Sequence, residues 1–214
     1  SDAVTEAKIA DAAVESEHLN NNVISGQTEL AAEPADTDEF LVSDAGTIKR
    51  VDYSYIKGGG ITEADSFRLS ATQAISSGTD TVLSGFSRDN ESTFGKIGTG
   101  LSESSGVFTF ATTGIYLIIA NFYLQINGDL TYGSPKIQGT TNNSSYVNMS
   151  YNDQSIKQVV GNTYCAVTNH NIMDCQDTSN YKFRLSIYGT QALNVFGGAN
   201  DSHTYVTAIR LGDT

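Results

Sequence analysis

The sequence predicts an all-β protein, built as a sandwich or jelly roll, and three observations lead to this prediction. The 214 residues include 20 Gly, 11 Tyr and 9 Phe, while charged residues make up only 17%. Such a composition favours strands and turns over long amphipathic helices. Short β-branched and aromatic runs recur from residue 66 onward with Gly, Ser and Asn between them, which is typical of this class. The most apolar run, residues 114–127, alternates as a central strand does.

The strand predicted at residues 115–126 carries apolar side chains on both of its faces. One face has no polar interruption and belongs in a core; it consists of Tyr116, Ile118, Ala120, Phe122, Leu124 and Ile126. The other face begins with Ile115, Leu117 and Ile119 and turns polar at Asn121 and Gln125. Because strands covered on both faces read as near-continuous apolar runs, we expect Ile115, Leu117 and Ile119 to be covered by another subunit. A second sheet is the alternative cover.

Residues 1–30 are predicted to form a repetitive stalk. Apolar residues recur there at a spacing of five, at Val4, Ile9, Val14, Leu19 and Ile24. This spacing gives no stripe on a helix and switches faces on a strand. Three parallel chains wound around one axis can bury so thin an apolar row, as repeat proteins do through their neighbours. An amphipathic helix, favoured by the Ala and Glu content, is the alternative, and either arrangement implies a stalk.

Residues 31–60 are predicted to hold a linker and a small β-hairpin that ends at a glycine hinge. Two strands, 39–43 and 48–51, flank a turn in which Gly46 supplies the positive φ that such turns need. Residues 52–57 suit one helical turn before the three glycines at 58–60. These glycines lack the Gly-x-Gly-x-x-Gly spacing of a phosphate-binding loop, so a hinge is the favoured interpretation.

Residues 61–214 are predicted to form the head, with nine strands separated by turn residues. The predicted strands are Phe67–Ala71, Thr81–Phe86, Val107–Ala111, Ile115–Ile126, Pro135–Gly139, Ser145–Tyr151, Tyr164–Met173, Tyr181–Tyr188 and Thr204–Leu211.

The two cysteines, Cys165 and Cys175, are predicted to remain free thiols. Ten residues of one continuous strand would separate them by roughly 33 Å, against the 4 to 7 Å that a disulfide allows. A hairpin at residues 168–171 is the alternative that would bring them together. Free thiols suit folding in a reducing cytoplasm.

The charge of the chain limits its partners. The net charge is −12, so phosphate backbones and anionic lipid surfaces should repel the protein. We expect no nucleic-acid partner and no insertion into a membrane, since no apolar run approaches the roughly 20 residues of a membrane helix.

No catalytic constellation is apparent, and the sequence predicts neither an enzyme nor a cofactor. Asp201, Ser202 and His203 are the residue types of a hydrolase triad, but chain neighbours project in different directions and cannot form its geometry. His18 lies in the stalk repeat and is interpreted as a solvated position. Neither a Gly-x-Ser-x-Gly elbow nor a His-Glu-x-x-His pair is present.

No metal site is predicted. Calcium at the loop acids Asp174, Asp177 and Asp201 is the alternative, because carboxylate oxygens are its preferred ligands. The sequence lacks the Asp-x-Asp-x-Asp-Gly loop that would support that alternative.

A candidate binding surface lies within residues 131–151, where tyrosines alternate with asparagines. Tyrosine gives amphipathic contact area and asparagine gives adaptable hydrogen bonds, and recognition surfaces favour both. The predicted binding residues are Tyr132, Asn142, Asn143, Tyr146 and Tyr151. The alternative is that these tyrosines cap the sandwich or fill a contact between subunits.

Four segments of the head resemble the jelly roll of the C1q and tumour-necrosis-factor (TNF) family: residues 107–110, 113–118, 181–185 and 204–211. Phe108, Gly114 and Tyr116 match, in order, a Phe-x-x-x-x-x-Gly-x-Tyr signature of that family. The resemblance covers roughly residues 66–211. The absence of Trp and of a collagen-like Gly-x-y run departs from the animal members and disfavours an extracellular animal cytokine.

The N-terminal segments resemble another group of proteins. Residues 4–11, Val-Thr-Glu-Ala-Lys-Ile-Ala-Asp, and residues 38–51, Asp-Glu-Phe-Leu-Val-Ser-Asp-Ala-Gly-Thr-Ile-Lys-Arg-Val, are similar to bacteriophage tail-fibre and structural proteins. Together the two resemblances imply a homotrimer, with three jelly rolls around a three-fold axis on a fibrous stalk. Ile115, Leu117 and Ile119 are the candidate axial contact.

These observations predict a non-enzymatic structural protein of a phage virion, made in the host cytoplasm. It would form the trimeric distal part of a tail fibre, bind a host-surface glycan or protein, and contact other virion proteins. The alternatives are a capsid-attached head fibre or decoration spike, a polysaccharide depolymerase, and a head that only drives trimerisation.

Overall fold

The computed structural model describes residues 20–57, 59–88 and 95–214. The chain divides into two compact units between Gly58 and Gly59. The stalk positions Val4, Ile9, Val14 and Leu19, together with His18, lie outside the described residues. Within the described ranges no helix is long and apolar enough to cross a membrane.

The first unit contains the predicted hairpin. Strand β1 (Glu39–Asp44) pairs antiparallel with β2 (Thr47–Asp52), and Asp44 lies opposite Thr47. Ala45 and Gly46, the two turn residues, both have positive φ, 50° and 86°, as a two-residue hairpin turn requires. One helical turn, α1 (Tyr53–Ile56), follows directly. The hairpin and the short helix therefore form where the sequence predicted them.

The described residues of the second unit form fourteen strands. In chain order they are β3 (Ala64–Leu69), β4 (Gln73–Ile75), β5 (Asp80–Val82), β6 (Phe86–Arg88), β7 (Ser102–Ser104), β8 (Val107–Thr109), β9 (Gly114–Ile126), β10 (Leu130–Thr140), β11 (Val147–Tyr151), β12 (Gln154–Ile156), β13 (Thr163–Cys175), β14 (Lys182–Gly189), β15 (Leu193–Val195) and β16 (Tyr205–Gly212).

These strands form two seven-stranded sheets, and every pairing between them is antiparallel. The β14 sheet runs in the order β11-β10-β14-β8-β7, with β12 on β10 and β5 on β14. The β9 sheet runs in the order β4-β15-β9-β16-β3-β6, with β13 on β9. This two-sheet arrangement confirms the predicted all-β sandwich.

Aromatic side chains join the two sheets in one core. Phe108 of β8 is fully buried, and its ring centroid lies 4.9 Å from that of Phe183 on β14 and 5.6 Å from that of Phe67 on β3. The six residues predicted to face the core from β9 are all buried. Because side chains alternate along a strand, the β9 residues between these six lie on the opposite side of the sheet, away from the core.

One predicted strand is wrong in part. Residues 81–86 were expected to be continuous, but the chain leaves β5 after Val82 and enters β6 at Phe86, in the other sheet. Gly85 has φ of 79° in this crossing, a conformation that glycine adopts without steric cost. The short strands β4, β7, β12 and β15 were not predicted, because three residues carry too little alternation to stand out.

The two cysteines lie at opposite ends of one strand, as predicted. β13 pairs with β9 without interruption from Thr163 to Cys175, so the alternative hairpin at residues 168–171 is wrong. Cys165 and Cys175 are free thiols. Burial raises the pKa of both, that of Cys175 to about 11.

The glycine of the jelly-roll signature is required by its surroundings. Gly114 opens β9 with φ of 144°, and a Cβ there would lie 2.7 Å from the carbonyl oxygen of Gly212. Two residues on, the Tyr116 hydroxyl donates to the carbonyl oxygen of Thr112 at 3.0 Å. The signature therefore marks the point where β9 enters the sandwich.

Asparagines of β13 join the edges of the two sheets. The side-chain amide of Asn169, 1% exposed, donates to the carbonyl oxygen of Pro135 on β10 at 2.7 Å. Asn171 donates to the carbonyl oxygen of Met149 on β11 at 2.6 Å. These bonds fix β10 and β11, which carry much of the surface described next, against the rest of the sandwich.

Candidate functional site

Alternate residues of β14 point away from the core. Phe183, Leu185 and Ile187 are fully buried, so the residues between them lie on the opposite side of the sheet. Those outward residues are Lys182, Arg184, Ser186 and Tyr188.

The register of the neighbouring strands extends this outward surface. On β10, Gln138 lies opposite Arg184 and Lys136 lies opposite Ser186. On β11, Asn148 pairs with Gln138, and Tyr151 pairs with Lys136. We call this surface the cation-tyrosine face; it consists of Tyr132, Lys136, Gln138, Tyr146, Asn148, Tyr151, Lys182, Arg184 and Tyr188.

Arg184 is held in a fixed orientation at the centre of one end of this face. Its Cζ lies 3.9 Å from the ring centroid of Tyr146, and its Nε donates to Oε1 of Gln138 at 2.8 Å. Gln138 is only 7% exposed and donates in turn to Oδ1 of Asn148 at 2.9 Å. A guanidinium has five N–H donors in a planar fork, and among the described residues the edge carrying both Nη atoms has no hydrogen-bond partner, so it remains for a ligand.

Tyr146 covers one face of the Arg184 guanidinium. Burial raises the pKa of the Tyr146 phenol, and the Arg184 charge opposes that rise. The ring is therefore neutral at physiological pH, and its negative π face is directed at the cation.

Tyrosines dominate the other end of the face. The rings of Tyr132 and Tyr188 are stacked, with centroids 6.0 Å apart and planes at 29°. The Nζ of Lys136 lies 6.0 Å from the Tyr188 centroid and donates to Asp80 at 2.7 Å. Tyr132 is 38% exposed and Tyr151 is 57% exposed, so flat aromatic surface is open to solvent here.

Lys182 and Arg184 differ from most of the other cations. Seven lysines and arginines of the described chain form salt bridges with carboxylates. Neither Lys182 nor Arg184 has one within residues 20–57, 59–88 and 95–214. In a chain with 24 acidic and 12 basic residues, two adjacent cations on one sheet face thus keep their charge available.

The structure brings together three of the five predicted binding residues. Tyr132, Tyr146 and Tyr151 all lie on the cation-tyrosine face. Asn142 and Asn143 lie in the turn between β10 and β11, where Oδ1 of Asn142 accepts from the backbone N–H of residues 144 and 145 at 3.0 and 2.8 Å. Asn143 has φ of 54°, a conformation that asparagine tolerates better than most residues. Both asparagines shape the turn.

Sequence analysis missed Lys136, Gln138, Arg184 and Tyr188 as members of this face. β10 and β14 are more than 40 residues apart in the chain, and only their pairing places these side chains together. The available signal was the alternation of charged and apolar residues across the strand predicted at 181–188.

A groove of about 420 Å³ lies between the β10–β11 hairpin and β13. Its walls include the apolar side chains Val147, Met149 and Ile172, with Asn142 and Asp174 among its polar residues. Val147 and Ile172 are 66% and 57% exposed. The groove therefore opens as an apolar edge of the sandwich.

The outward side of the β9 sheet is unlike the cation-tyrosine face. Ile115, Leu117 and Ile119, the predicted subunit contact, are half-buried there. Leu117 lies opposite Ile172 on β13 and opposite Ile209 on β16. We call this surface the apolar face; it consists of Ile115, Leu117, Ile119, Ile172 and Ile209.

Aromatic rings continue the same side of the β9 sheet beyond the apolar face. Tyr123 is stacked with Tyr164 at 5.5 Å and with His203 at 5.6 Å between centroids, and Phe196 lies 4.9 Å from His203. His203 is thus part of an aromatic cluster, and its backbone N–H donates to the carbonyl oxygen of Asp201.

Two of the three loop acids named as calcium candidates, Asp174 and Asp177, accept hydrogen bonds from residues of their own turns. Asp177 accepts from the backbone N–H of Ser179 and from Asn180, and these bonds lower its pKa. Asp174 accepts from Gln176 at 3.0 Å. In the part of the chain that the structure describes, no three His, Cys, Asp or Glu residues are grouped to hold a metal ion.

Comparison with known proteins gives a fold but no family. No protein-family model matches the chain, and no curated protein matches it. Among solved structures, Eiger TNF from S. frugiperda is similar, with a TM-score of 0.52 and 13% identity, covering 72% of this chain and 96% of that one. Murine APRIL has a TM-score of 0.50 and 12% identity, covering 70% and 98%. The second unit therefore has a TNF-like jelly-roll fold.

Proposed function

We propose that this chain is a non-enzymatic structural protein of a phage virion. It forms the trimeric distal part of a tail fibre, and its jelly-roll head binds a glycan or protein on the host surface. The cation-tyrosine face carries this proposal, because it combines solvent-exposed tyrosine rings with a pre-oriented guanidinium. Rigid aromatic area and fixed donors lower the entropic cost of binding, which is what a recognition surface requires.

The apolar face supports the homotrimer in this proposal. Ile172 is 57% exposed, although it lies beside Leu117 on a broad sheet surface. Contiguous exposed apolar area marks an interaction site, and three copies around an axis bury the same patch on each subunit. The β14 sheet lies on the other side of each sandwich, so its cation-tyrosine face stays open in such an assembly.

Sedimentation equilibrium and cell binding of the full-length chain test the proposal. We expect a trimer that adsorbs to at least one strain in a panel of fixed Gram-negative and Gram-positive cells. Polysaccharide extracted from that strain should release no new reducing ends during incubation with the protein. A monomer at micromolar concentration, or steady release of reducing ends, would contradict the proposal, and adsorption to no strain would favour a head that only trimerises.

A further inference from the structure

The cation-tyrosine face also indicates the chemical class of its ligand. We propose, resting on the function proposed above, that this face binds a polysaccharide whose sugar units carry carboxylate groups. Arg184 and Lys182 bind the carboxylates, and the exposed tyrosines pack against the sugar rings.

Arg184 presents the geometry that a carboxylate needs. Tyr146 covers one face of the guanidinium and Gln138 occupies Nε, so the two Nη atoms define the open edge. An arginine edge with parallel N–H groups matches the two oxygens of a carboxylate in a bidentate pair. Because Gln138 is buried and is itself bonded to Asn148, Arg184 does not have to be ordered when the ligand arrives.

Lys182 supplies a second cation at a fixed spacing. It lies two residues from Arg184 on the same side of β14, a separation of about 6.6 Å along the strand. An ammonium is a mobile point charge rather than a planar fork. It therefore strengthens the attraction for an acidic group without fixing its orientation.

The tyrosines give the same surface its affinity for sugar rings. Tyr132 and Tyr151 are exposed, and Tyr188 stacks beside Tyr132. From Gln138 to Tyr132 along β10 the face extends about 20 Å, which accommodates several units of a chain. Tyrosine offers an apolar ring face with a hydroxyl at its edge, which suits the C–H face and hydroxyl rim of a sugar.

The charges on this face determine which acidic polymers it favours. The net charge of −12 repels a dense polyanion at long range, but charges are screened beyond about 8 Å at physiological ionic strength. Among the described cations of this face, Lys136 is neutralised by Asp80, so the positive charge without a carboxylate partner is carried by Arg184 and Lys182. This arrangement favours a polymer with single carboxylates over one with a high density of sulfate or phosphate.

Binding of three polymers to the full-length chain tests the inference. Biolayer interferometry at pH 7 and about 0.15 M salt compares alginate, a uronate polymer, with neutral dextran and with dextran sulfate. We expect alginate to bind at least about tenfold tighter than dextran, since a hydrogen bond from a guanidinium to a carboxylate is roughly twice as strong as a neutral one. Arg184→Gln should weaken alginate binding about tenfold or more, and Lys182→Gln about threefold.

Lys49→Gln is the matched control, because Lys49 is an exposed cation paired with Asp44 in the β1–β2 hairpin of the first unit. It should leave alginate affinity unchanged, and all variants should keep the sedimentation and thermal unfolding of the parent. No binding to alginate or to polygalacturonate would overturn the inference, as would full alginate affinity in Arg184→Gln. Dextran sulfate binding tighter than alginate would also overturn it, because charge density alone would then account for the attraction.

Cell adsorption separates the inference from the function on which it rests. Adsorption that Arg184→Gln does not weaken and alginate does not compete would sink the carboxylate inference and leave a receptor-binding head. Alginate binding without adsorption to any strain would support the ligand chemistry and contradict the proposed host-binding function.

Discussion

The two sheets of the second unit carry unlike side chains on the surfaces that point away from their shared core. On the β9 sheet the apolar face gathers isoleucines and a leucine, and Ile172 stands 57% exposed. On the β14 sheet the corresponding surface gathers tyrosines, amides and two cations without carboxylate partners in the described chain. The core sides of β9 and β14, in contrast, are alike in being fully apolar.

The inward residues of the two sheets therefore stabilise the fold, whereas the outward residues determine what each sheet contacts. The inward residues obey a period of two and close the core by the same physics in both sheets. The outward residues are not needed for that core, so their chemical character indicates the surroundings of each face. An apolar outward face indicates a surface to be buried, and a polar, aromatic one indicates a surface that contacts a solvated partner.

Leu117→Asp should disrupt the subunit contact proposed for the apolar face. If sister copies cover this residue, the variant places three unpaired carboxylates in a dry contact, at a cost of several kcal/mol. Self-association should weaken by about a thousandfold or more, and the protein should sediment as a folded single chain. Thr109→Asp, an outward position on β8 opposite Lys182, is the control and should sediment like the parent. Equal sedimentation of all three proteins would contradict an interface on the apolar face.

From the sequence, most of the apolar face on the β9 sheet could be predicted, but little of the cation-tyrosine face on the β14 sheet. β9 is long and strictly alternating, so Ile115, Leu117 and Ile119 were separated from the core residues by local pattern alone. The cation-tyrosine face depends on the register of β10 with β14 and β11, and no local pattern encodes that register. Tyr132, Tyr146 and Tyr151 were predicted from composition, whereas Arg184 required the fold.

Asn169→Ala tests the bond that holds the two sheets together at one edge. The substitution removes the 2.7 Å bond to the buried carbonyl oxygen of Pro135, which then keeps only the backbone N–H of Asn152 at 3.4 Å, at a cost of about 1–3 kcal/mol. For a protein of this size the midpoint of thermal unfolding should fall by about 2–10 °C. Thr168→Ala, the adjacent exposed position, should change it by less than about 2 °C. Equal melting of the two variants would mean that the edge bond contributes nothing to the sandwich.

Thiol labelling should distinguish the two outward faces from each other and from the interior. Burial raises the pKa of Cys175 to about 11, so at pH 8 only about one thiol in a thousand is ionised and reaction with iodoacetamide is slow. Asn148→Cys, on the cation-tyrosine face, should react fast, and Ile119→Cys should react slowly in the assembled protein. Mass spectrometry after timed quenching measures the rates; equal rates for the two engineered thiols would contradict the contrast.

Ionisation of Cys175 should change the free energy of unfolding in one direction as the pH rises. Its thiol ionises near pH 9 when unfolded and near 11 when folded, so the unfolded chain loses its proton first. Folding stability is therefore unaffected by this group below about pH 8 and falls as the pH rises from about 9 to 11. Denaturant unfolding of Cys175→Ser beside the parent measures the effect, and a parent stability that rises across this range relative to the variant would contradict the assignment.

Tyr146→Leu should have the smallest effect of these substitutions. It tests how much the ring beside Arg184 contributes to ligand binding by the cation-tyrosine face. The substitution keeps apolar cover over Arg184 but removes the π face that lies 3.9 Å from its Cζ. A cation–π contact contributes about 0.5–1 kcal/mol at a partly exposed site, so alginate affinity should fall about two- to fivefold. Tyr55→Leu, at an exposed tyrosine of the first unit, should leave it unchanged. Because the fork edge of Arg184 survives in Tyr146→Leu, a loss as large as that of Arg184→Gln would show that the ring itself contacts the ligand.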